Sequence, residues 1–277
     1  MWNRDETFMN KAILWSAAAV VVAAGAGLYY YYRMRGAEPP PVVAKPAQVA
    51  PSVAADEPPA IANPVPEVPA EAAKPLPALN ESDTEAREGF TTLFGKGADE
   101  TFLTPENVVR RFVVTVDNLP RKKLAAEMRA IKPVTGSAAV AEQGDSLTLS
   151  DENYARYAPY IKLMQKADSK QIASLYFRWY PLMQKAYEDL GYPGQYFNDR
   201  MVQVIDHLLE TPVVRGPITL TQPKVFYEFA DPALEARSAG QKTLIRMGPE
   251  NAAAVKQKLR ELRTELTSGR DPPKPVE

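Results

Sequence analysis

The sequence predicts a mainly α protein: a multi-helix globular domain with one or two short β-hairpins, preceded by a transmembrane helix and a disordered linker. Three observations predict it. From Asn80 onward, apolar residues recur at helical spacing behind recognisable caps. Two short stretches alternate apolar and polar residues instead. Ahead of them lie an uncharged segment long enough to cross a membrane and a proline-rich stretch without glycine or aromatic residues.

The 277 residues divide into five segments. Residues 1–11 form a short polar amino terminus, followed by Ala12–Tyr32, 21 residues without a charge. At 1.5 Å per helical residue, about 20 residues cross a hydrocarbon core of about 30 Å. Trp15 near one end and Tyr29–Tyr32 at the other suit the two headgroup layers, and Arg33 and Arg35 stop the span. A cleaved signal peptide is the competing reading, because Ala23–Gly27 offers small residues to a peptidase. The stretch is long for that, and cleavage would leave tyrosines and arginines at the new terminus. Ala19, Ala23 and Gly27 share one helical line with small-xxx-small spacing, which would let two spans meet as a homodimer. An alanine-rich helix also produces such a line by chance.

Residues 33–79 read as a Pro/Ala-rich disordered linker. Between Ala37 and Leu79 there are 12 prolines and 12 alanines in 43 residues. Such a chain buries too little apolar surface to offset its ordering entropy, and its prolines favour an extended form. The linker reads as a stiff spacer. Residues 80–267 are the mainly helical domain, with 27 basic and 27 acidic side chains from Asn80 to Glu277. Residues 268–277 read as a disordered tail.

Within the domain, Ser82 and Glu85 suggest a capping box ahead of Ala86, Phe90, Leu93 and Phe94, with Gly95 closing that helix. Thr104-Pro105 suggests a second N-cap, before Val108, Val109, Phe112, Val113 and Val116. The β-branching of that run leaves a strand over Phe112–Val116 as an alternative. Ser150 starts a helix with a kink at Pro159, and Asp168 starts the longest one, ending at Gly191. A further helix from Asn198 to Glu210 carries Met201, Val204, Ile205 and Leu208 inward. The last follows Gly248-Pro249. Ala138–Leu149 and Ile218–Phe229 are the expected hairpins.

Several chemistries are excluded. There is no cysteine, hence no disulfide and no thiolate ligand or nucleophile, and His207 is the single histidine. A formal charge of −1 argues against nucleic acid as partner. Gly240-Gln241-Lys242-Thr243 lacks the upstream glycine of a phosphate loop, and no HExxH, EF-hand or nucleophile-elbow pattern is present. Glu188 and Asp189 are sequence neighbours that face apart. No cofactor, metal or catalytic residue is therefore expected. The arginines and lysines between Arg110 and Lys132 form a basic cluster, read chiefly as ordinary charged surface.

The candidate binding residues are Asn153, Arg156, Tyr160, Asn198, Asp199 and Arg200. They fall at the starts of two aromatic-rich helices, where free backbone N–H groups and the helix dipole receive anionic or carbonyl groups. The surrounding tyrosines could wall a groove for a peptide, although core packing explains most of them. If this is a binding surface, Arg156→Ala and Arg200→Ala should leave stability nearly unchanged while weakening partner recovery.

Five runs, VRRFVVTVDNLPR (109–121), NYARYAPY (153–160), YPLMQKAYEDLGYP (180–193), YFNDR (196–200) and GQKTLIRMGPEN (240–251), together resemble the bacterial domain-of-unknown-function 3014 family. The likeness covers about Leu79 to Leu266. It implies a short amino terminus, one span, a proline-rich linker and a bacterial envelope setting, and it brings no activity or catalytic residue with it. The positive charges flanking the span do not fix orientation; the long spacer and the resemblance favour an inner-membrane protein with a periplasmic domain. The expected role is an adaptor or scaffold binding a protein partner or cell wall. The alternative is an envelope hydrolase using carboxylates such as Asp117, Asp199 or Asp206.

Overall fold

A computed structural model describes residues 60–66, 75–144 and 146–268. They lie within one compact unit, Glu57–Glu277. The expected span Ala12–Tyr32, with its dimerisation line, and the tail from residue 269 lie outside the described residues. Among those described, no helix is long and apolar enough to cross a membrane. The domain is mainly helical with one small antiparallel sheet.

A short 3-10 turn, Leu79–Glu81, leads into α1, Asp83–Phe94. The expected capping box does not form. Ser82 is buried, and its hydroxyl donates backward to the Leu79 carbonyl at 2.8 Å. Gly95, at φ 99°, ends the helix as its position suggested. After α2, Ala98–Phe102, comes α3, Val108–Asn118. The run of β-branched residues is therefore helical, as its spacing indicates. Its start differs from the expected Thr104-Pro105 cap. The Thr104 hydroxyl bonds the Arg129 carbonyl, and Asn107, at φ 54°, precedes the helix. The cap comes from another helix: Asp83 accepts from the backbone N–H groups of Asn107 at 2.7 Å and Val108 at 2.8 Å. A carboxylate at a helix N-terminus satisfies free donors and opposes the positive end of the dipole.

The two expected hairpins both form, and they join. β1, Val140–Gln143, pairs with β2, Ser146–Leu149; β2 pairs with β3, Thr219–Thr221; β3 pairs with β4, Glu228–Phe229. All pairings are antiparallel. Leu149, Ile218, Leu220 and Phe229 on one side of the sheet pack against Ile245 in a small second core.

The segment after Ser150 forms two helices, α4, Asp151–Ala155, and α5, Ala158–Lys166, so the expected kink is a break. α6 runs from Ser169 to Asp189, with the Asp168 carboxylate accepting from the N–H groups of Lys170 and Gln171. It continues through Pro181, which has no N–H to donate back. α7, Phe197–Leu209, begins where the Gln184 side chain accepts from the Phe197 N–H at 2.8 Å. A short α8, Pro232–Glu235, and α9, Ala239–Arg246, precede the last helix, α10, Pro249–Thr267. The main core lies where α3, α6, α7 and α10 meet, around Val113, Tyr176, Phe197, Val204 and Leu266. Aromatic rings fill it: Phe197 meets Tyr176, Tyr187 and Phe112, and Tyr187 stacks on Tyr192 at 4.6 Å. The tyrosines suspected of walling a groove are mostly this core.

Candidate functional site

The six candidate residues fall into separate groups among the described residues. The first belongs to α4 and α5. Asn153 is 1% exposed; its amide donates to the Arg246 carbonyl at 2.8 Å, while its Oδ1 accepts from the Ala139 N–H and from Arg156 at 2.7 Å. Arg156 also donates to the carbonyls of Thr135 and Gly136. The Tyr160 hydroxyl donates to the carbonyls of Lys132 and Pro133. These residues tie the loop before β1 to the helical layer. Their polar atoms are spent on the chain itself.

The second network gathers at the first turn of α7. Asn198 is fully buried. Its Oδ1 accepts from the Tyr176 hydroxyl at 3.0 Å, and its Nδ2 donates to the carbonyls of Asn63 at 2.9 Å and Leu266 at 3.3 Å. Asp199, beside it, accepts from three donors of residues 62 and 63. They are the Ala62 N–H at 3.0 Å, the Asn63 N–H at 2.6 Å and the Asn63 side-chain amide at 2.8 Å. Residues 62–63 come from the stretch read as an open linker, more than 130 positions away. Asn63 is 5% exposed. Its N–H, its carbonyl and its side chain are all held by neighbouring residues of one helix turn. Pro64 follows, and the chain bends at residues 62 and 63. Chemically, the arrangement reads a peptide main chain together with one carboxamide side chain.

Arg200, the third residue of the trio, turns away from that segment. Its Nε donates to Oδ1 of Asp117 at 2.9 Å and its guanidinium also reaches the Asp117 carbonyl at 3.0 Å. Asp117 is 3% exposed and receives Arg121 at 2.6 Å and the Tyr192 hydroxyl at 3.3 Å as well. The Asp117 charge raises the pKa of Arg121. Arg156 and Arg200 thus both sit in hydrogen-bonded networks of the chain itself.

The carboxylates considered for hydrolysis are all engaged. Asp117 is held by two arginines, Asp199 by the 62–63 segment, and Asp206 by Arg263 through Nε at 2.5 Å. His207 bonds Ser238 Oγ at 2.8 Å, but that oxygen also caps α9 by accepting from the Gln241 N–H. No group of three or more histidine or carboxylate side chains suited to a metal ion occurs among the described residues. The basic cluster is largely spoken for: Arg110 pairs with Asp189, Arg111 bonds the Glu106 carbonyl, and Lys122 bonds the Ala236 carbonyl.

Sequence reasoning placed Asn198 and Asp199 at a helix start suited to carbonyl and anionic groups. It missed that Asp199 would receive N–H donors from the chain's own linker. Asn63-Pro64 is the one asparagine-proline pair in the proline-rich stretch, and that was the available signal. A second feature missed is the β3–β4 loop, where Val225 and Phe226 are 79% and 80% exposed.

The profile of the family described as "Protein of unknown function (DUF3014)" matches residues 108–263, more than half of the chain. The chain belongs to this family. No curated protein and no solved structure matches it.

Proposed function

We propose that this member of the family is a single-pass adaptor of the bacterial envelope, whose helical domain binds a protein partner through the first turn of α7. In this reading Ala12–Tyr32 is retained in the inner membrane and the Pro/Ala-rich stretch after it is a tether. The domain stands in the periplasm. The uncharged span and its aromatic ends support the anchor, and the long spacer supports a reach across the envelope.

One observation carries the binding role: Asn198 and Asp199 hold a bend of the chain at residues 62–63 by its main chain. Main-chain recognition supplies affinity and the side-chain contact supplies selectivity. A partner segment with asparagine before proline could enter by exchange with residues 62–63. The engagement of Asp117, Asp199 and Asp206 favours a binder over a hydrolase.

The test is crosslinking in native membranes with the full-length chain. Asp199→Ala should lower recovery of a crosslinked partner, and deletion of residues 60–66 should raise it by vacating the site. Unchanged recovery in both variants would overturn the reading. Resistance to alkaline carbonate extraction tests the anchor, and an active alkaline phosphatase fused after Glu277 tests the periplasmic placement.

A further inference from the structure

The helical layer surrounds a partly open apolar cavity of about 410 Å³ between α1 on one side and α3, α6, α7 and α10 on the other. Interiors at native density hold few voids larger than a water molecule. This one falls within the roughly 300–1,000 Å³ of pockets that hold small organic ligands. Its roof is unusual. α1 presents Ala86, Phe90, Leu93 and Phe94 to the cavity, yet none of its residues is buried. Ile172, Leu175, Met183, Leu259 and Leu262, which line other walls, are only half-buried too. Apolar side chains arranged around a void lose the dispersion contacts that a tight core supplies.

The shape limits what could fill it. Along α6 the lining runs from Ile172 to Met183, 11 residues apart and so about 16 Å at the helical rise. Such a length suits an extended chain. Among the described residues, the lining side chains that carry a nitrogen or oxygen are Tyr176, whose hydroxyl is committed to Asn198, and Trp179, with its indole N–H. Most of a guest inside would meet only apolar wall, so the guest is mainly apolar. At one end, Ala130 and Ile131 line the cavity and Ile131 is 38% exposed.

We propose that this cavity binds an unbranched acyl chain. The chain could arrive as a free fatty acid or as one tail of a phospholipid. Tyr176 and Leu266 both line the cavity and both bond Asn198, so the acyl site shares a wall with the 62–63 clamp. The inference does not depend on the adaptor reading.

The experiment uses the full-length protein in nanodiscs, avoiding detergent. Two probes carry a photoactivatable diazirine midway along the chain: palmitate, and a phosphatidylglycerol bearing the same acyl group. Labelled peptides are mapped by mass spectrometry, with and without excess unmodified palmitate. The expected result is competed labelling on α1, α6 or α10. Labelling by palmitate alone identifies the free acid as the source, and labelling by the phospholipid identifies the bilayer. Two variants fill the cavity, Ala86→Phe and Ile172→Trp; at least one should fold with an unchanged or raised Tm and lose the competed labelling. Labelling that is not competed, that falls only on residues 12–32, or that survives in a folded filled variant would overturn the proposal.

Discussion

The hydroxyl of Tyr176 on α6 donates to Oδ1 of Asn198 on α7 at 3.0 Å, and both side chains are buried. That bond fixes which way the Asn198 amide points. With Oδ1 committed to Tyr176, Nδ2 faces the carbonyls of Asn63 and Leu266. Tyr176→Phe removes the donor and leaves a buried oxygen unpaired, at a cost of about 1–3 kcal/mol. The expected result is a lower Tm together with faster amide exchange in residues 60–66.

Asp199→Ala should behave differently. Asp199 is partly exposed in the first turn of α7, so its loss removes a favourable charge at a helix N-terminus, worth about 0.3–1 kcal/mol. The domain should melt close to the parent. Limited proteolysis should nevertheless cut within residues 60–66 much faster, because their backbone donors lose their acceptor.

Arg200→Ala should cost stability rather than binding alone. It strips one of two arginines from the buried Asp117 carboxylate, while Arg121 remains. An effect of about 1–3 kcal/mol is expected. A denaturant midpoint equal to that of the parent would refute this, and Arg200→Lys should recover only part of the loss.

Gly248→Ala should be more damaging than any of these. Gly248 sits at φ 87° and ψ 161°, a region open essentially to glycine. A Cβ there would lie 2.6 Å from Cγ of the Tyr154 ring. A loss of at least about 2 kcal/mol is expected by chemical denaturation.

Glu261 gives a pH signature. The Ser169 hydroxyl, the Gln257 amide and Lys258 pull its pKa down to about 2 from the ordinary 4.5. With the folded value depressed, its contribution is fully present above about pH 4.5 and is lost as pH falls toward about 2. Glu261→Gln should therefore flatten the acid limb of the stability profile in that window and lower stability at neutral pH. Parallel melts of the two proteins across the window check it.

Periodicity and local caps were legible where the chain settles them with its own neighbours. Asp168 caps α6, Gly95 ends α1, and the 3.6-residue spacing of Val109, Val113 and Val116 outweighs their β-branching. The expectations that failed depend on distant partners. Thr104-Pro105 looks like a helix start, but Asp83 captures the N–H groups of residues 107 and 108 from another helix. Arg156 and Arg200 look like surface charges until Thr135, Gly136 and Asp117 arrive beside them. Asn198 and Asp199 stood out by position, yet their occupant lies beyond any local pattern. The cavity was invisible for another reason. Each lining residue fits a core, and only their summed packing leaves a void.

The grip on residues 62–63 also sets the length of a leash. If Ala12–Tyr32 is the anchor proposed above, letting go adds the 17 residues from Asn63 to Leu79, about 50 Å in an extended polyproline form. A longer leash sweeps a larger volume, so the effective concentration of the domain at any fixed target falls as its reach grows. A clamp only two residues wide would thereby trade how far the domain can search against how often it meets what is near.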